Sequence, residues 1–201
     1  MRFNWRENRF DGLPELAAIL RREGATAIVP TETVYGLIGR VSDPACREKI
    51  YFLKHRDPAK HLGWFAAGLD QLEKAGVLLE GPARLLAEKF MPGPLTLIVN
   101  KKDGSTVGFR IPDHPQLLAL LKELDEPLFQ TSANRSGYPN ALSCQEAEAM
   151  LCGSPDAIVD GGDISPDALA STIVDCTGKV PKIIRQGALE VRDFIDSLER
   201  I

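Results

Sequence analysis

Leu13, Leu16, Ala17 and Leu20 recur at helical spacing and Gly24 follows as a stop, which predicts an amphipathic helix over 13–23. It feeds a short apolar strand from Thr26 to Val29 that ends at Pro30. Asp43 before Pro44 is a helix start, and the stripe Cys46, Ile50, Leu53 carries that helix to "KHRDPAK", where Pro58 cannot continue it. Lys54 and Arg56 therefore fall at a helix C-terminus. "GWFAA" at 63–67 reads as a strand, with helices over 69–75 and 82–90 after it. "PLTLIVN" and "TVGFRIP" flank the turn "KKDGS" and predict a β-hairpin. A helix over 114–124, a strand "PLFQT" and a polar loop "SANRSGYPNA" come next, then a helix opened by the capping-box spacing Ser143-x-x-Glu146. Strands "DAIVD", "STIVDC" and "PKIIRQG" precede a closing helix over 190–199. Helices and strands alternate with no repeat and no low-complexity linker, so the pattern predicts one α/β domain with a mixed sheet.

Several of these strands run out into the same chemistry. Val29 leads to "PTETVYG", Leu128 and Phe129 to "QTSAN", and Ala170 into "STIVD", while "TVGFR" carries Arg110 and "PKIIR" carries Arg185. Taken singly, each has a plain explanation as a sheet edge, a turn or a solvated helix end. Taken together they fit a ligand crevice at the strand ends of an open α/β sheet. The basic set Lys54, Arg56, Lys60, Arg110 and Arg185 would make that ligand anionic, since guanidinium groups fork onto phosphate and carboxylate oxygens. Ser132, Asn134 and Gly137 add hydroxyl, amide and backbone donors. There is no GxxxxGK[ST] and no GxGxxG, so neither a P-loop nor a dinucleotide fingerprint is supported.

Composition narrows the classes further. The 201 residues are 44% hydrophobic and 26% charged, ordinary for a globular chain, and no apolar run reaches the roughly 18 residues of a membrane span. The start "MRFNWRENRFDG" lacks a signal peptide's apolar core, so a cytoplasmic protein is expected. Four cysteines and three histidines form no CxxC, HxxxH or HExxH, which leaves no zinc or redox spacing and predicts reduced thiols. A net charge of -4 disfavours avid non-specific nucleic-acid binding while allowing a local basic cleft.

Seven stretches, in order, carry a resemblance: "PTETVYG", Lys54-His55-Arg56, "PGPLT", "FRIPDHP", "TSANRSG", "STIVD" and "IRQG". From about residue 12 onward the chain resembles the YrdC/TsaC family of L-threonylcarbamoyladenylate synthases. The resemblance implies one YrdC-like domain over 1–201 with its motif-bearing core at about 12–190. It implies a twisted, mostly mixed sheet flanked by helices around a deep, positively charged cleft, without the extra C-terminal domain of longer relatives. The implied reaction joins L-threonine, bicarbonate and ATP, with Mg²⁺, into threonylcarbamoyl-AMP and pyrophosphate. A partner transferase complex would then move the group to an adenosine of tRNAs reading ANN codons, with at most a weak RNA contact by this chain and no membrane.

Position by position, the resemblance implies Thr31, Thr33, Tyr35, Arg110, Ser132 and Ser171 around threonine and its carbamate. Lys54, Arg56, Lys60, Thr106, Asn134, Ser143 and Arg185 would lie around the nucleotide, with Lys54 and Arg56 as the catalytic cations. No metal ligand is implied, Mg²⁺ being expected on the ATP phosphates. Phe65 is a departure, because many longer relatives carry His there, and one threonine contact is expected to be missing. Two other functions fit the sequence less well. A double-stranded RNA-binding module leaves the threonine-side motifs unexplained, and a divergent paralogue of the YciO branch would be expected to lose the "TET" that is intact here.

Overall fold

The computed structural model describes residues 1–198. Ten strands form one mixed sheet in the order β1-β8-β2-β3-β7-β4-β6-β5-β9-β10. They are β1 Arg2–Asn4, β2 Ala27–Val29, β3 Gly36–Arg40, β4 Gly63–Phe65, β5 Leu95–Asn100, β6 Thr106–Arg110, β7 Leu128–Ser132, β8 Ala157–Asp160, β9 Thr172–Asp175 and β10 Lys182–Arg185. The helices are α1 Leu13–Leu20, α2 Pro44–Lys54, α3 Leu69–Lys74, α4 Gly81–Phe90, α5 Pro115–Leu124, α6 Cys144–Ala149 and α7 Arg192–Leu198.

Successive residues of the inner strands are buried on opposite faces, which is why they read as unbroken apolar runs. Ala27 and Val29 join Leu16, Leu20, Leu117 and Leu120 under α1 and α5. Ile28 points the other way, into a larger cluster with Ile50, Leu53, Leu86 and Ile195 from α2, α4 and α7. The sheet is thus the middle of three layers. The predicted hairpin forms as antiparallel β5 and β6, Leu97 facing Phe109. β5 also pairs in parallel with β9, and β9 antiparallel with the edge strand β10.

Three elements depart from the sequence reading. β3 was not anticipated, and it pairs antiparallel with both β2 and β7. β1 was also missed; it lies parallel to β8 at the far edge. α1 ends at Leu20 instead of 23, since the apolar stripe stops there and Arg21 turns outward to Glu123. The closing helix runs over Arg192–Leu198, and the expected terminal Glu199 lies outside the described residues.

Candidate functional site

A cavity of about 510 Å³ opens where β5, β6, β7, β9 and β10 meet the loop between β2 and β3. Thr106, Gly108 and Arg110, alternate residues of β6, line it. Thr96 comes from β5, Ser132 from the end of β7, Ser171 from just before β9 and Arg185 from β10. Thr33 enters from the β2–β3 loop and Arg56 from just beyond α2. Seven residues singled out from the sequence, Thr33, Arg56, Thr106, Arg110, Ser132, Ser171 and Arg185, are therefore brought to one wall.

Arg110 is the most deeply placed of these cations, 4% exposed. Its Nη1 donates to Thr33 Oγ1 at 2.9 Å and to Glu32 Oε1 at 3.0 Å, and its guanidinium sits 4.9 Å from the centroid of the Phe65 ring. Burial pulls its pKa down, partly opposed by the Glu32 charge. Phe65 is itself fully buried and provides a flat apolar support for Arg110. Arg185 donates through Nη2 to Ser171 O at 2.7 Å, and the hydroxyls of Ser171 and Thr96 lie 2.9 Å apart. Behind them the glycine of "IRQG" is required by packing: a Cβ at Gly187 would fall 2.2 Å from Ala170 O. Arg56 donates to the carbonyls of Lys60 at 3.2 Å and His61 at 2.9 Å, and burial lowers its pKa.

Four expected residues lie behind this wall and organise it. Thr31 Oγ1 accepts from the amides of Thr33 and Val34, each at 3.1 Å, and donates to Val34 O at 2.6 Å, folding "PTETV" into a tight polar turn. The Tyr35 hydroxyl donates to Gly162 O at 2.6 Å and accepts from Gly161 N at 3.0 Å, and burial pushes its pKa up to about 12. Lys54 is 1% exposed, and its Nζ donates to Ser132 O, to Asn134 O at 2.5 Å and to Asn134 Oδ1 at 3.4 Å. The expected phosphate ligand thus has all three donors turned onto the "TSAN" loop. Asn134 Nδ2 in turn donates to Tyr138 O at 2.6 Å and Pro139 O at 3.1 Å, closing that loop. Lys60 and Ser143 are not brought to the cavity wall: Lys60 is exposed, and Ser143 caps α6 by accepting from Glu146 N at 3.2 Å.

The structure adds residues that the sequence reading passed over. Glu32 was bracketed by two chosen threonines, and its acidity beside a predicted cation cluster was the available signal. His61, Gln130 and Asn140 also line the cavity, though nothing in their local pattern marked them. A second cleft of about 260 Å³, walled by Ala141, Leu142, Ile164 and Pro166, adjoins the first through Val34 and Asn140. Among the described residues no group of three or more His, Cys, Asp or Glu could hold a metal ion, and no helix is long and apolar enough to cross a membrane.

Comparison with known proteins gives a consistent result. The family model Sua5_yciO_yrdC, described as "Telomere recombination", matches residues 19–187. The Threonylcarbamoyl-AMP synthase of Bacillus subtilis is 36% identical over 187 residues, 86% of this chain and 53% of that protein. A protein of the same name from Chromohalobacter salexigens is 34% identical over 82% of this chain and 92% of its own length. Among solved structures, Pyrococcus abyssi Sua5 complexed with L-threonine superposes with a TM-score of 0.86 at 31% identity, covering 98% of this chain and 60% of that one. The chain spans little more than half the length of the Bacillus subtilis relative.

Proposed function

The chain belongs to the Sua5/YciO/YrdC family, and on that premise we propose that it is a threonylcarbamoyl-AMP synthase, joining L-threonine, bicarbonate and ATP with release of pyrophosphate. The observation that carries this reading is the convergence of Arg56, Arg110 and Arg185 with Thr33, Ser132 and Ser171 on one cavity. Three cations suit a polyanionic nucleotide together with an amino-acid carboxylate, and the hydroxyls suit a small polar substrate.

The amine takes up bicarbonate with loss of water, and a carbamate oxygen then attacks the α-phosphate while pyrophosphate leaves. Negative charge grows on the phosphoryl and leaving oxygens, so catalysis rests on positioning and on fixed positive charge. Arg56 and Arg185 supply that charge, and Arg110 holds the amino-acid end. Lys54 acts one layer back, fixing Ser132 and Asn134. Among the described residues no carboxylate lines the cavity, so Mg²⁺ would enter on the phosphates of ATP and keep water for its other ligands. The apolar cleft beside the cavity offers a flat purine a dry face.

Purified protein given ATP, Mg²⁺ and bicarbonate should release pyrophosphate only when L-threonine is added. Arg56→Ala should lower that release at least 10²-fold with little change in stability, because Arg56 is half-buried and its side chain bonds to the loop carbonyls of Lys60 and His61. Release that ignores threonine, or a fully active Arg56→Ala protein, would overturn the assignment.

A further inference from the structure

The main cavity is walled by cations and neutral groups. Arg56, Arg110 and Arg185 reach it, and among the described residues no carboxylate lines it. Among the described residues, the acid bonded to a lining side chain is Glu32, whose Oε1 accepts from Arg110 Nη1 at 3.0 Å. That contact leaves the pair incomplete. Glu32 Oε2 and Arg110 Nε are both closed off from water, and neither has a hydrogen-bond partner. Buried charged groups rarely keep unmade bonds, since the lost hydration is not returned. Nor can the two satisfy each other by a small adjustment, because Nη1 and Nε lie on different edges of a guanidinium and one carboxylate cannot close both.

One lone acceptor on an acid and one lone donor on an adjacent base are the complement of a ligand that carries an ammonium and a carboxylate together. We propose that Glu32 recognises the α-ammonium of the amino-acid substrate while Arg110 takes its carboxylate. The inference rests on the reading of this cavity as an amino-acid site. The placement suits the role: Thr31 folds the turn that carries Glu32, and Phe65 fixes the guanidinium plane beneath it. The Glu32 side chain keeps 16% exposure while its free oxygen is covered, so an arriving ammonium has to draw the carboxylate round about its last bond to reach that oxygen. With no acid among the described residues that line the wall, Glu32, one layer behind it, makes the site selective for α-amino acids over acids that lack the amine.

The test is calorimetric titration at pH 7 with L-threonine and with 3-hydroxybutyrate, which has the same skeleton without the amine. The wild-type protein should bind L-threonine at least ten-fold more tightly than 3-hydroxybutyrate. In Glu32→Gln the ratio should fall to near one, through loss of threonine affinity alone. Equal weakening of both ligands would mean that Glu32 serves only to hold Arg110, and would overturn the proposal. So would equal affinity for the two ligands in the wild-type protein, a measurement that needs no variant and decides the matter if Glu32→Gln does not fold. Wild-type protein that binds neither ligand would instead remove the amino-acid site itself, and the proposal with it.

Discussion

The ammonium of Lys54 is buried against neutral oxygens instead of a carboxylate, and this sets a measurable pH dependence. Burial lowers its pKa from 10.5 to about 7, with the Arg56 charge adding to the shift. The three acceptors favour the charged form, but neutral carbonyls return less than an anion would, so the downward direction holds. Between pH about 7 and 10.5 the unfolded chain binds more protons at this position than the folded one, so its contribution to stability rises with pH across that window. Lys54→Met should cost about 3 kcal/mol at pH 7 by leaving the acceptors unpaired. In urea unfolding the wild-type advantage should grow at pH 9.5, and a gap that stays constant or shrinks would contradict the burial argument. The cationic character of "KHR" was legible in the sequence. Where Nζ points was not, because its acceptors lie 78 and 80 residues further along the chain. The partner of Glu32 was illegible for the same reason, since only the fold places that acid against Arg110.

α2 positions both Lys54 and Arg56, and its start was readable: Asp43 is the N-cap, accepting from Ala45 N at 3.0 Å and Cys46 N at 3.3 Å. Its second oxygen also accepts from Gly24 N at 2.6 Å, tying the helix to the turn before β2. Asp43→Ala should therefore cost about 2 kcal/mol in chemical denaturation, the upper end for a cap. A loss below about 0.5 kcal/mol would show that water replaces the carboxylate without penalty. β3 escaped the sequence reading because glycines interrupt its propensity. Gly39 is there for packing, since a Cβ would fall 1.9 Å from Cys46 Sγ on α2. β1 escaped because its three residues are mostly exposed and it exists only through parallel pairing with β8. Strongly periodic helices such as α5, by contrast, carry their own signal, and Pro115–Leu124 matches the expected 114–124 closely.

The mixed sheet is what turns scattered motifs into a site. Antiparallel β5 and β6 and parallel β5 and β9 bring Thr96, Arg110 and Ser171 together from distant parts of the sequence. The strand-end chemistry signalled that convergence before any topology was known, whereas the order of the strands could not be read from pattern alone. The split between the lining residues and the layer of Thr31, Tyr35, Lys54 and Asn134 behind them is likewise a property of the assembled molecule. The most direct test of the whole account supplies ATP, Mg²⁺, L-threonine and ¹³C-labelled bicarbonate and follows the product by mass. Threonylcarbamoyl-AMP carrying the label should form, and only when threonine is present. ATP consumption without a labelled adenylate, by folded protein, would contradict it.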